Sequence, residues 1–203
     1  MDYINKLKEI VPKMKMQMHS NKDIFSLNEI YMVIAGFDKE NKGKCPRAKF
    51  ENSFLSLLGI YLKTQELTEL FKYLCIEGEE EEMISFEKFI ELFKRNENEN
   101  LDKAIDDIYK KLIGQNTSVT LEELYNRLKL ENHPLVRALR KTKEEAKKKI
   151  DLEFQFILGD NKEVTKDDFI TFNKNMFCVM PEKNIDYWVK YLPEVWGIKV
   201  SDF

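Results

Sequence analysis

With 203 residues, 43% hydrophobic and 12% aromatic, the chain can bury a core in one large or two small domains and lacks the composition of a disordered segment. Thirty-three basic against 36 acidic residues leave a net charge of −3, so charge alone draws it to neither nucleic acid nor a membrane. The first residues are too charged for a signal peptide and no apolar run approaches the roughly 18 residues of a membrane span, which predicts an intracellular, cytoplasmic protein.

Residues 2–18 set Ile4, Leu7, Ile10 or Val11, Met14 and Met18 at helical spacing and predict an amphipathic helix within 1–19. It reads either as a partner-binding helix or as one packed on its own domain. Ser26 with Glu29 makes a capping box that opens the next helix, whose inner stripe is Leu27, Ile30, Val33, Ile34 and Phe37. A loop then starts at Asp38. EF-hand calcium loops carry oxygen ligands at positions 1, 3, 5, 7 and 9, glycine at 6 and a bidentate Glu at 12. Here Asp38 and Glu40 hold positions 1 and 3 and Gly43 holds 6, but Lys42 stands at 5 and Lys49 at 12. Cys45 is at 8, where paired loops share a short strand. Phe50, Phe54, Leu57, Leu58 and Tyr61 supply the apolar face of the exiting helix.

Thr64 caps a third helix with Leu67, Leu70, Phe71 and Leu74 inward, and a second loop-like segment runs from Glu77 to Lys88 before Phe89, Ile90, Leu92 and Phe93. Aligned from its end, it has Ile84 at position 8, Lys88 at 12 and Glu82 where glycine belongs, so Ile84 should pair with Cys45. The polar run Asn96 to Asn100 predicts a break between lobes. Beyond it come Ile105, Ile108, Tyr109 and Leu112 on a helix, then a third loop ending at Glu123, one residue short and without an acid at its start. Thr120 with Glu123 opens a helix through Leu130, and Thr142 with Glu145 opens another through Ile150, Phe154 and Ile157. The fourth loop, Ile157 to Asp168, has Val164 at position 8 and Asp168 at 12, followed by Phe169, Phe172 and Met176; Val119 should pair with Val164. Four helix–loop–helix units recur at roughly 40–45 residues. The stretch Pro181 to Phe203 is dense in aromatics. Pro181 suits a first helical turn and Pro193 a helix end or kink. This tail either covers the second lobe or anchors on a partner.

Calcium chemistry fails in the first two loops on magnitude. Two unit charges 4 Å apart interact by roughly 4 kcal/mol at an effective dielectric of 20, so Lys49 facing a dication costs on the order of 8 kcal/mol. The missing bidentate Glu removes two oxygens as well. The crowded acids Glu77, Glu79, Glu80, Glu81 and Glu82 read as a solvated surface, with a weak divalent site as the alternative. The third loop keeps Glu123 but is too short. The fourth offers Asp160, Asn161 and Asp168, yet Ile157 and Gly159 fill positions 1 and 3. No metal, cofactor-binding or catalytic residues are therefore assigned. Ammonium groups at Lys42, Lys49 and Lys88 are expected to sit among Asp38, Glu40 and the acids of 77–82 in place of an ion, or else to point into water.

An enzyme finds no support in the sequence. His19 and His133 are far apart, His133 precedes Pro134 in an expected turn, and no phosphate loop, nucleophile elbow or metal motif occurs. Cys45, Cys75 and Cys178 are odd in number and lack ligand spacing, so they read as buried reduced thiols. The basic run Lys141 to Lys149 is broken by Glu144 and Glu145 and reads as a solvated helix face, with a nucleic-acid or tubulin-tail contact as the other reading. Only Arg47, Arg95, Arg127, Arg137 and Arg140 carry guanidinium, few for bidentate phosphate reading.

Taken together, the chain over roughly residues 20–198 resembles the calcyphosins, EF-hand proteins of two paired lobes. The resemblance is carried by His133, Pro134, Leu135, Val136 and Arg137, by the helix capped at Thr142, and by Val164, Thr165, Asp168 and Phe169. In the first hand it is carried by Phe37, Asp38, Glu40, Gly43, Phe50, Leu57, Leu58 and Gly59, and at the end by the aromatic tail near Trp196. It implies an all-α fold: EF-hand lobes at 20–95 and 102–180, a linker at 96–101, flanking helices at 1–19 and 181–203, and short two-stranded sheets between loops. Calcyphosins bind calcium, but position 12 departs in the first, second and fourth hands and the third is shortened. The expectation is therefore a non-catalytic, calcium-independent structural protein. The resemblance implies a place in the ciliary axoneme, on doublet microtubules, with tubulin and other axonemal proteins as partners and neither nucleic acid nor membrane. A calcium-binding regulator that exposes a groove is the alternative.

Overall fold

The computed structural model describes residues 2–79, 81–94, 99–114, 116–180 and 185–199. It is mostly helical, with two antiparallel two-stranded sheets, and divides into two compact units. The first holds 1–95 with 175–181, the second 96–174 with 182–203. The expected second lobe, 102–180, thus gives up 175–180 to the first unit, where Cys178 and Val179 join the apolar core.

The first unit runs α1 (Asp2–Lys22), α2 (Leu27–Phe37), β1 (Lys44–Pro46), α3 (Arg47–Lys49), α4 (Leu55–Leu57), α5 (Thr64–Leu74), β2 (Met83–Ser85) and α6 (Phe86–Glu91). The register pairs Cys45 with Ile84, as the loop alignment predicts, and Cys75 bridges to Ile84 from the other side. The core is phenylalanine-rich. Phe50 and Phe54 lie 4.9 Å apart by ring centroid and both approach Phe89, at 5.3 and 5.4 Å. Leu7, Ile10, Met14 and Met18 of α1 are buried in this core, so the leading helix packs on its own unit. Polar side chains fix its position. Gln17 accepts the Tyr61 N–H and donates to the Tyr61 carbonyl, both at 2.9 Å, and Asn21 donates to the Gly59 carbonyl at 2.8 Å.

Two local expectations here are corrected. The helix leaving β1 was expected to bury Leu57 and Tyr61, but these are 49% and 62% exposed, while Leu55, Leu58 and Ile60 are buried. A π turn at Phe50–Phe54 inserts an extra residue between α3 and α4 and shifts the buried face, and Gly59 at φ +69° ends the helix before Tyr61. Thr64 is not the cap of α5. Lys63 holds that place, and the Glu66 carboxylate accepts its N–H at 2.7 Å.

The second unit runs α7 (Glu99–Ile113), β3 (Val119–Thr120), α8 (Leu121–Arg127), α9 (Pro134–Arg137), α10 (Lys143–Leu158), β4 (Glu163–Val164), α11 (Lys166–Phe177, through Lys174 in this unit) and α12 (Ile185–Val195). Val119 pairs with Val164 as expected. Tyr109 on α7 buttresses this sheet, its hydroxyl donating to the Val164 carbonyl at 3.1 Å. α7 begins at Glu99, so residues 99–101 of the expected linker are helical; 95–98 lie outside the described residues. α8 stops at Arg127 instead of Leu130, because Leu128 turns extended before a 3₁₀ turn at Leu130–Asn132. The aromatic tail packs inside this unit. Trp196 is 1% exposed, its ring 4.9 Å from Phe169 and 5.9 Å from Phe172, and Phe172 stacks on Phe154 at 4.2 Å. Pro193 lies inside α12, which ends two residues later; Pro181 falls outside the described residues.

Candidate functional site

The four loops are where the sequence places ion chemistry, and each has a defined internal arrangement. In the first, the Asp38 carboxylate folds back on its own loop, accepting the N–H of Lys42 at 3.1 Å and of Gly43 at 2.7 Å. Asn41 at φ +55° and Gly43 at φ +68° make this tight turn possible. Lys42 pairs with Glu40; the ammonium holds the Glu40 carboxyl below its ordinary pKa, and Glu40 in turn raises Lys42. The Lys49 ammonium lies 4.7 Å from the Phe37 ring centroid, a cation–π contact in place of a ligand. Burial pushes the Cys45 thiol up to about 11, so it stays protonated at neutral pH.

The second loop is tied to the first by two cations outside the side-chain ligand positions. Lys44 pairs with Glu79 at 2.5 Å and Arg47 with Glu82 at 2.8 Å, the Arg47 guanidinium also lying 4.4 Å from the centre of the Phe71 ring. Of the three lysines expected among the acids, only Lys42 meets one among the described residues. Lys88 donates instead to the Cys75 carbonyl at 2.7 Å. The signal was present in the predicted pairing itself. Antiparallel register about Cys45 and Ile84 sets Arg47 opposite Glu82, and the Arg47 N–H does donate to the Glu82 carbonyl at 2.8 Å. Glu80 lies outside the described residues.

In the third and fourth loops the final carboxylates serve helix starts. Glu123 accepts from the Thr120 N–H at 2.9 Å and its hydroxyl at 2.8 Å. Asp168 does the same with Thr165, at 2.9 and 2.6 Å. Each Thr oxygen accepts the N–H of its acid in return, at 3.2 Å for Glu123 and 3.3 Å for Asp168. These are closed capping boxes. The hydrogen bonds to Thr120 keep the Glu123 carboxyl below the usual carboxylate range. Asn161 accepts the Glu163 N–H at 3.0 Å, and Ser118 donates to the Glu163 carboxylate. An open cavity of about 490 Å³ is bounded by Asn116, Thr117, Ser118, Thr120, Glu123 and Glu163. Asp160 is exposed. Among the described residues, no three His, Cys, Asp or Glu side chains converge as a metal-holding group.

The histidines have other work. His19 packs edge-on against Phe25 with centroids 4.4 Å apart. His133, 4% exposed, is the N-cap of α9, its Nδ1 accepting the Leu135 N–H at 3.3 Å ahead of Pro134. Cys45 and Cys178 are buried and Cys75 is half-buried, and none of the three is in a disulfide. No described helix is long and apolar enough to cross a membrane. Among known proteins, no family model matches the sequence, and no curated protein matches it.

Proposed function

We propose that the chain is a non-catalytic structural protein of two paired, degenerate EF-hand lobes whose shape does not depend on calcium. One observation carries the reading: all four side chains at position 12 are committed within the protein. Lys49 is on the Phe37 ring, Lys88 on the Cys75 carbonyl, and Glu123 and Asp168 in capping boxes. At position 1 of the first loop, Asp38 satisfies two backbone N–H groups of the loop itself. The residues present do not fit a calcium ion. A dication there would meet ammonium groups in the first two loops and would compete with helix caps in the others. The two loop–loop sheets, Cys45 with Ile84 and Val119 with Val164, support pairing of the four units as in EF-hand lobes.

The setting we propose, the ciliary axoneme with tubulin and other axonemal proteins as neighbours, rests on the calcyphosin resemblance alone. Titration calorimetry of the full chain tests the ion reading: no calcium heat is expected, and binding tighter than about 10 μM would return the protein to the sensor range. Converting Lys42 to Asp with Lys49 and Lys88 to Glu should introduce calcium-dependent stabilisation. A melting temperature unmoved by calcium in that variant counts against the loops' having kept the EF-hand frame. Crosslinking in isolated axonemes tests the setting, and failure to co-purify with them rejects it.

A further inference from the structure

We propose that the π turn at Phe50–Phe54 is a register switch set by α1: when α1 is drawn off, the turn relaxes to regular helix and Leu57 rotates into the core in place of Leu58. The turn holds one residue more than a regular helix, with the Leu55 N–H donating to the Phe50 carbonyl five residues back. Everything after it is set back by one position, roughly 100° of rotation and about 1.5 Å of rise. The sequence on that side fits both settings. Its apolar residues come in adjacent pairs, Phe54 with Leu55, Leu57 with Leu58 and Ile60 with Tyr61. A slip of one position therefore exchanges an apolar side chain for its apolar neighbour. With the extra residue in the turn, Leu55, Leu58 and Ile60 are buried, while Leu57 and Tyr61 are 49% and 62% exposed. Regular spacing from Phe50 and Phe54 turns Leu57 and Tyr61 inward instead. The two apolar side chains left in water are the ones that the other setting uses.

The contacts of α1 select between the settings. Gln17 brackets Tyr61, accepting its N–H and donating to its carbonyl, and Asn21 donates to the Gly59 carbonyl. All three bonds reach main-chain atoms, whose positions depend on the register and not on which side chain fills the core. Gly59 also lies so close to α1 that a Cβ there would stand 2.8 Å from the Asn21 Cβ and the Lys22 Cγ. A shift of one residue carries Gly59 and Tyr61 out of reach of these partners. Regular helix is the common form and the π turn the rare one, so the present setting needs a holder. Docking of α1 and the extra residue in the turn are thus one equilibrium, because α1 fits only one of its two states. This gives the first unit two states without an ion, whether or not the loops bind calcium.

The test uses the full chain carrying Leu57→Cys, its alkylation followed by peptide mass so that Cys45, Cys75 and Cys178 are read separately. Adding Gln17→Ala and Asn21→Ala is expected to speed hydrogen exchange in α1 and to slow alkylation at position 57 about fivefold or more. Deleting Asn52, exposed within the turn, makes the helix regular while leaving α4 as it stands, so alkylation should then ignore the state of α1. Leu57→Lys gives an independent reading by melting temperature. It should cost little in the parent, and about 2–4 °C more once Gln17 and Asn21 are alanine, because the relaxed setting must bury it. The proposal falls if alkylation at position 57 is not slowed when α1 exchanges fast, or is slowed equally after the deletion. It also falls if α1 exchange is unmoved by the two alanines, or if Leu57→Lys costs the same in both backgrounds.

Discussion

Acidification to pH 5 should weaken the second unit through His133. Its imidazole is 4% exposed, and burial, helped by the nearby Lys149 charge, pushes it down to about 4 from an ordinary 6.5. Above pH 6.5 the ring is neutral folded and unfolded, and its full contribution is present. Between about 6.5 and 4 the unfolded chain takes a proton that the folded chain refuses, so stability falls as pH falls. The whole window is worth about 3.4 kcal/mol at 1.36 kcal/mol per pH unit, and the part between pH 7 and 5 about 2 kcal/mol. For a chain of this size that is about 4–8 °C in melting temperature. Stopping at pH 5 keeps most carboxylate titration out of the measurement. Urea or thermal melts at the two pH values read it directly. His133→Asn keeps a side-chain oxygen to accept the Leu135 N–H, so it should start less stable but lose the slope. A variant as pH-sensitive as the parent would show that His133 is not the titrating group.

Truncating the buried tail should be costly: Trp196→Ala is expected to lose about 3–5 kcal/mol in urea melts. Trp196→Phe should lose much less, since it keeps contact with Phe169 and removes an indole N–H that has no hydrogen-bond partner among the described residues. Equal losses would mean that ring packing is not what holds the tail. Gly59→Ala should loosen α1, because a Cβ there would stand 2.8 Å from the Asn21 Cβ and the Lys22 Cγ at φ +69°. Faster hydrogen exchange concentrated in α1 is the expected result, and an unchanged α1 would refute that close approach.

What could be read from the sequence was what local chemistry decides. The capping boxes at Ser26–Glu29, Thr120–Glu123 and Thr142–Glu145 form as spelled, since three-residue spacing fixes both partners. The strand pairs Cys45–Ile84 and Val119–Val164 follow from loop register. What escaped depended on geometry that periodicity does not carry. The π turn at Phe50–Phe54 changes the helical phase, and so Leu57 and Tyr61 lie on the exposed face and not on the one that regular helical spacing gives them. The cross-loop pairs of Lys44 and Arg47 are not legible at the side-chain ligand positions, because they are made by residues at the ends of the strand. The left-handed Leu139 gave no sequence signal at all, since nothing in its neighbours marks a turn that glycine usually takes.

The commitment of Glu123 and Asp168 to helix starts would set any bound cation against the helix. In a sensor, the metal organises the helix that follows its loop. Here any cation that recruited either carboxylate would strip half of a capping box from the first turn of α8 or α11, and would fray the element it normally orders. High divalent salt would then act on these two helix starts as a mild local denaturant, opposed by the threonine half of each box, which stays in place.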